Sequence, residues 1–249
     1  MRTTKPTFPG FPPEALRFLR QLKRHNDRSW FSERRETYEQ RVKAFMIELV
    51  RALGRELLTY APEMIVEPSR AIYRIYRDVR FSPDKRPYKT HIAAIFTPQG
   101  ISKHAGAGLY FHIAPEEVLI AGGVYMPGSV ELLAIRRHIA NHYEELREIL
   151  ARRAFRRLFG GLEGEALSRP PKGFSATHPA IDLLRYKQFL VSASYPSRLA
   201  ETSQLLPEVN RHFQVMMPLV RFLNSPLVTQ SATQLRASKT SFPAAEELW

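Results

Sequence analysis

The chain predicts an α+β fold, a mainly antiparallel sheet flanked by long helices. Three observations carry that expectation. Apolar residues recur at helical spacing over residues 31–57 and again over 132–150. Short β-branched and aromatic runs cluster between residues 71 and 126. The two patterns come in blocks instead of alternating, which argues against a doubly wound parallel sheet.

Taken in order, Pro12 and Pro13 suit the first turn of a helix, where a missing N–H costs nothing. Leu16, Phe18, Leu19 and Leu22 form its apolar stripe, and the helix should stop near His25 and Asn26. A second helix is expected from Asp27 or Ser29 to about Tyr60, ended by Ala61 and Pro62. Four strands are expected at residues 71–77, 91–97, 107–114 and 117–126, joined into one antiparallel sheet, with a hairpin turn at Ala114, Pro115 and Glu116. Helical spacing returns over residues 129–152, with Ser129 as the candidate N-cap. A short turn at 155–159, a short helix at 178–186, a strand at 188–194 and a helix from about 197 to 223 complete the pattern. One domain over residues 1–224 and a flexible tail over 225–249 follow from the composition.

The chain has 249 residues and no cysteine, which rules out disulfides, Cys-based zinc sites and a thiol nucleophile. A cysteine-free chain with no signal-peptide pattern at its start and no apolar run long enough to span a membrane is expected in the cytoplasm. The net charge of +13 favours anionic partners, nucleic acid among them, although a general surface bias explains such a charge equally well.

The positive charge is densest in residues 70–91, which carry seven basic and two acidic side chains. Arginine offers a planar fork of donors to phosphate or carboxylate, lysine a compact charge, and tyrosine a hydroxyl and a stacking face. Arg74, Tyr76, Arg77, Arg80, Lys85 and Lys89 are the candidate ligand-binding residues. Asp78, Tyr88 and His112 are candidate catalytic groups, and no metal or cofactor is expected. The competing view makes the arginines and Asp78 an ion-pair network that fixes the loop.

Residues 74–90 read RIYRDVRFSPDKRPYKT. Asn26 to Phe31 followed by Tyr38, the glycine pairs Gly106, Gly108 and Gly122, Gly123 leading to Pro127, and Pro170 to Phe174 with His178 and Pro179 accompany it. Together these motifs resemble a bacterial and fungal family known as domain of unknown function 2461, over about residues 8–224. Ser29 departs from the acidic residue more usual in that family. The resemblance implies a fold unit and a shared motif, and no reaction.

Other constellations are weaker. His138 and His142 stand four apart on a helix, a metal-compatible spacing without a third ligand in sight. His112 shares a strand face with Tyr110, so His91 and His112 are acid–base candidates if that face lies beside the basic segment. The glycines match no dinucleotide or phosphate loop and read as close-packing positions. Trp30 and Phe31 read as a core anchor, and the basic run 152–157 as a solvated helix end. Three readings follow: a module binding a phosphate-bearing ligand or nucleic acid, an enzyme acting on an anionic small molecule, or a structural or interaction domain.

Overall fold

The computed structural model describes residues 7–101 and 105–240. Helix α1 (Pro13–Arg24) opens on its proline and buries Ala15, Leu16, Phe18, Leu19 and Leu22. Asp27 caps α2 (Arg28–Glu33), accepting a hydrogen bond from the Trp30 N–H at 2.9 Å. The single long helix expected to Tyr60 is broken. The backbone leaves helical geometry at Arg34 (φ −115°, ψ 13°) and resumes as a short α3 (Arg35–Thr37). A π turn over Tyr38–Lys43 then leads into α4 (Ala44–Tyr60). The wider turn resets the phase of the apolar stripe, so Tyr38 and Val42 stay buried together with Met46, Leu49 and Leu53.

The sheet is antiparallel, in the order β1 (Ile92–Phe96), β2 (Gly108–Ile113), β3 (Glu117–Val124), β4 (Phe189–Pro196). Its hairpin turns where expected, the Ala114 N–H donating to the Glu117 carbonyl at 2.8 Å. The fourth strand is the 189–196 run and not residues 71–77. Pro68 starts a helical turn, α5 (Pro68–Ala71), and beyond it residues 72–77 meet the chain at isolated bridges, Ile72 with Ala94 and Tyr76 with Tyr88. Between the two bridges three residues (73–75) on one side face five (89–93) on the other, so a regular ladder cannot form.

Alternation along the strands gives the sheet two faces. Phe96, Leu109, Phe111, Val118, Ile120 and Val191 point inward and are buried. Helix α9 (Leu205–Thr240) packs on that face, setting Phe213 at 5.6 Å from Phe96 and 6.4 Å from Phe111. Helices α4 and α6 (Ser129–Ala151) flank α9. At Gly123 (φ +117°) the Phe189 carbonyl lies 1.9 Å from where a Cβ would stand, so the β3–β4 contact requires glycine.

Three further expectations are corrected. Gly128, not Ser129, precedes α6, and no side chain caps it. The 178–186 helix shrinks to α8 (Ile181–Leu184). The run from Ser197 first makes a 3₁₀ turn (Ser197–Glu201), and α9 then passes the expected stop at Leu223, absorbing Pro218 and Pro226, to reach Thr240. The expected tail over 225–249 therefore begins inside α9, and residues 241–249 lie outside the described residues. Helix α7 (Arg153–Phe159) starts within the basic run, whose Arg152, Arg153, Arg156 and Arg157 are exposed.

Candidate functional site

The basic segment is an irregular hairpin. The Tyr73 N–H donates to the Ala93 carbonyl at 2.9 Å, the Lys89 N–H to Ile75 at 2.8 Å and the Arg77 N–H to Pro87 at 2.9 Å. Asn26 clamps its root. The Asn26 amide donates to the Tyr88 carbonyl and its oxygen accepts from the Tyr88 N–H, both at 3.0 Å. Tyr88 is buried and stacks on Phe31 at 4.2 Å. Phe31 and Trp30 both pack on Phe18, so the aromatic anchor expected between the first helices extends to the hairpin.

At the tip, the loop's two aspartates hold three of its arginines. Arg80 grips Asp78 through Nε at 3.0 Å and Nη2 at 2.7 Å. Asp84 is shared by Arg77 and Arg86, each at 2.7 Å. The Arg80 guanidinium lowers the Asp78 carboxyl to about 2. Arg86, then Arg77, hold Asp84 well below the usual carboxylate range. These pairs are largely exposed, so they shape the loop more than they stabilise the fold.

Beside them lies an open hollow of about 600 Å³, lined by Asn26, Asp27, Arg28, Val79, Lys85, Arg86 and Pro87. Lys85 donates to the Val79 carbonyl at 3.0 Å, which leaves two of its three N–H donors for other partners. Asp27, the one carboxylate in the lining, is engaged as the cap of α2.

The six expected binding residues do not converge. Lys85 lines the hollow; Arg77 and Arg80 are held by aspartates; Arg74 and Tyr76 are exposed. Lys89 points elsewhere, donating to the Arg74 carbonyl at 2.9 Å with its ammonium 5.0 Å from the Tyr73 ring centre. Asp78 is held by Arg80, and burial pushes the Tyr88 phenol up. Arg28 and Phe81, which sequence reasoning did not single out, are placed by the structure. Arg28 reaches the hollow from α2, and Phe81 stands 93% exposed with the Arg80 guanidinium 5.7 Å from its ring. A large aromatic between arginines in a Ser-Pro turn was the available signal.

The outer face of the sheet carries a second group of polar side chains. The Tyr110 hydroxyl is 3.0 Å from His112 Nδ1, and His112 Nε2 is 3.5 Å from Glu117 Oε1. Ser194 donates to Glu117 Oε2 at 2.6 Å. The His91 and His112 rings lie 4.9 Å apart, and Tyr73 packs edge-on to Tyr110. Burial lowers His91 to about 4, with His112 adding to the shift. Burial also lowers His112, opposed by Glu117, and raises Tyr110. The shared face of Tyr110 and His112 was legible from strand period. Glu117 and Ser194 were not, because their place follows from the pairing of three strands.

The His138 and His142 rings lie 4.6 Å apart, tilted to each other, where α6 leaves helical geometry, and His138 packs on Phe222. Among the described residues no group of three His, Asp or Glu side chains is placed to hold a metal ion. Among them, too, no helix is long and apolar enough to cross a membrane.

A family model described as conserved hypothetical protein (DUF2461) matches residues 14–222. No curated protein and no solved structure matches the chain. The match covers most of the sequence, and the chain belongs to this family.

Proposed function

We propose, with that membership as premise, that the chain binds a phosphate-bearing anion in the hollow between residues 26–28 and the 79–87 loop, and does so in the cytoplasm. One observation carries the reading: Arg28 and Lys85 converge on the hollow from two separate elements, beside an Arg86 already held by Asp84, while the hollow's single carboxylate is engaged in capping. Arg77 and Arg80 serve by holding the loop open through Asp84 and Asp78. The exposed Phe81 offers a base a stacking face beside this charge, which makes single-stranded nucleic acid the first version to test. The reading calls on no metal or cofactor. The cytoplasmic setting rests on the absence of cysteine.

The test is a titration with pyrophosphate by calorimetry and with a labelled single-stranded oligonucleotide by anisotropy. Both should bind at low salt. The Arg28→Ala/Lys85→Ala double variant should weaken both and flatten the salt dependence by about two phosphate contacts. Binding of pyrophosphate without the oligonucleotide removes the nucleic-acid version; no binding of either at low salt removes the proposal.

A further inference from the structure

The polar group on the outer sheet face has a definite proton arrangement. An ionised Glu117 facing His112 Nε2 at 3.5 Å calls for a proton on that nitrogen. His112 Nδ1 then carries the lone pair, and Tyr110, 3.0 Å away, donates its phenolic proton to it. The phenol oxygen keeps its own lone pairs free to accept. This is the order of a base relay: an acceptor oxygen, an imidazole behind it, and a carboxylate to steady the imidazolium.

The surroundings cover the relay in part, with Tyr73 edge-on to Tyr110 and the His91 ring 4.9 Å from that of His112. Across the strands Tyr110 stands between Ile95 and Ala121, with Ser192 beyond, and His112 between Ala93 and Leu119, with Ser194 beyond. Each of the two thus has one small cross-strand neighbour, Ala121 for Tyr110 and Ala93 for His112, and one large one, Ile95 and Leu119. Tyr110 is partly buried, the His112 side chain is 13% exposed and the Glu117 side chain 43% exposed, so solvent reaches the group from the Glu117 side. Lys89 supplies a positive charge at one edge, its ammonium on the face of Tyr73, whose ring centre is 6.3 Å from that of Tyr110.

We infer that Tyr110, His112 and Glu117 form a proton-accepting relay on the outer face of the sheet, serving a small hydroxyl-bearing anion held beside Lys89. The hydroxyl of the bound anion gives its proton to Tyr110 Oη and keeps the electron pair. The phenolic proton passes to His112 Nδ1, and the imidazolium rests against Glu117. One proton enters, one moves on, and no electron is transferred. Tyr110 is the catalytic residue; His112 and Glu117 act through it. The relay shares no residue with the hollow and stands or falls separately from the anion site proposed there.

The probe is p-nitrophenyl acetate, read by mass spectrometry of tyrosine-containing peptides from the whole protein. Tyr110 Oη forms a bond to the acetyl carbon, the bond to the aryl oxygen breaks, p-nitrophenolate leaves with the electron pair, and the phenolic proton goes to His112. Tyr110 should be acetylated faster than Tyr125, although Tyr125 is 65% exposed. His112→Gln and Glu117→Gln should each slow labelling of Tyr110 by about tenfold or more. Glu117→Gln keeps the volume of the side chain and an oxygen for Ser194, so folding is preserved and is checked by melting. Glycerol 3-phosphate, a hydroxyl-bearing anion, should protect Tyr110, and Lys89→Ala should abolish the protection. The Arg28→Ala/Lys85→Ala variant should leave Tyr110 labelling unchanged, which separates this test from the one for the hollow. Labelling of Tyr110 no faster than of Tyr125, or unaffected by Glu117→Gln, overturns the relay. Labelling without protection overturns the ligand class.

Discussion

Among the described residues two tyrosine–histidine pairs share the same 3.0 Å contact and differ in their surroundings. His212, on α9, is fully buried, with Nδ1 donating to the Glu208 carbonyl at 2.8 Å and Nε2 accepting from Tyr195. Its tautomer is set by a backbone group; Nδ1 also lies 3.6 Å from the Glu208 carboxylate, but that carboxylate is already paired with Arg211. His112 uses its nitrogens the other way round. Nδ1 accepts from Tyr110, and Nε2 turns to a half-exposed carboxylate. A backbone carbonyl can only accept, so it locks a ring in place. A carboxylate can also stabilise a charge, so it prepares the ring to take a proton. The first pair ties β4 to α9, and the second has the arrangement that the proposed relay requires.

That contrast can be broken by experiment. The largest expected effect is on the sealed pair. His212→Ala should cost about 2–4 kcal/mol in urea unfolding, since it leaves a cavity and strands the Tyr195 hydroxyl. His112→Gln should cost less than half as much, because water reaches that site; equal losses would make both pairs structural.

Acid should reveal the half-open cluster next. The folded pKa of His91 is lowered to about 4 from 6.5, so its contribution is whole above about 6.5. It is lost as pH falls toward 4, because the unfolded chain takes up a proton that the folded one refuses, a loss on the order of 2 kcal/mol. His91→Gln should flatten the stability curve in that window, and an unchanged curve would show that His91 is not held neutral.

At the hairpin the root should outweigh the tip. Asn26→Ala removes both bonds to the Tyr88 backbone and should cost about 1–2 kcal/mol by thermal or urea melting. The smallest effect belongs to the exposed tip, where Arg80→Ala should leave melting unchanged. The Asp78–Arg80 pair should persist down to pH 3.8 and be lost as pH falls toward 2, since Asp78 titrates at about 2, and carboxylate NMR shifts would check this. A large loss of stability in Arg80→Ala would mean that the tip, too, is a structural network.

Much of the architecture was legible because it depends on period and turn chemistry. The strands at 92–96, 108–113 and 117–124, the turn at Ala114 to Glu116 and the helix beginning at 129 all follow from local pattern. Residues 71–77 misled because β-rich composition does not guarantee register, and unequal spacing between the two bridges prevents a ladder. The end of α9 was misread at its prolines, which a helix already packed on both sides can absorb. Of the expected ligand set, charge density singled out the 70–91 stretch but could not say that its own aspartates would claim Arg77 and Arg80.

Taken alone, the amino-acid order determined the class of fold, the inward stripes, and the stretch where cations gather, because each depends on neighbours within a few positions. Tertiary structure alone decided that Arg28 shares a hollow with Lys85 and that Glu117 stands between His112 and Ser194. Hydrogen bonds and ion pairs act over a few ångströms, and residues as distant along the chain as 28 and 85, or 117 and 194, come within that range only through helix packing and strand pairing.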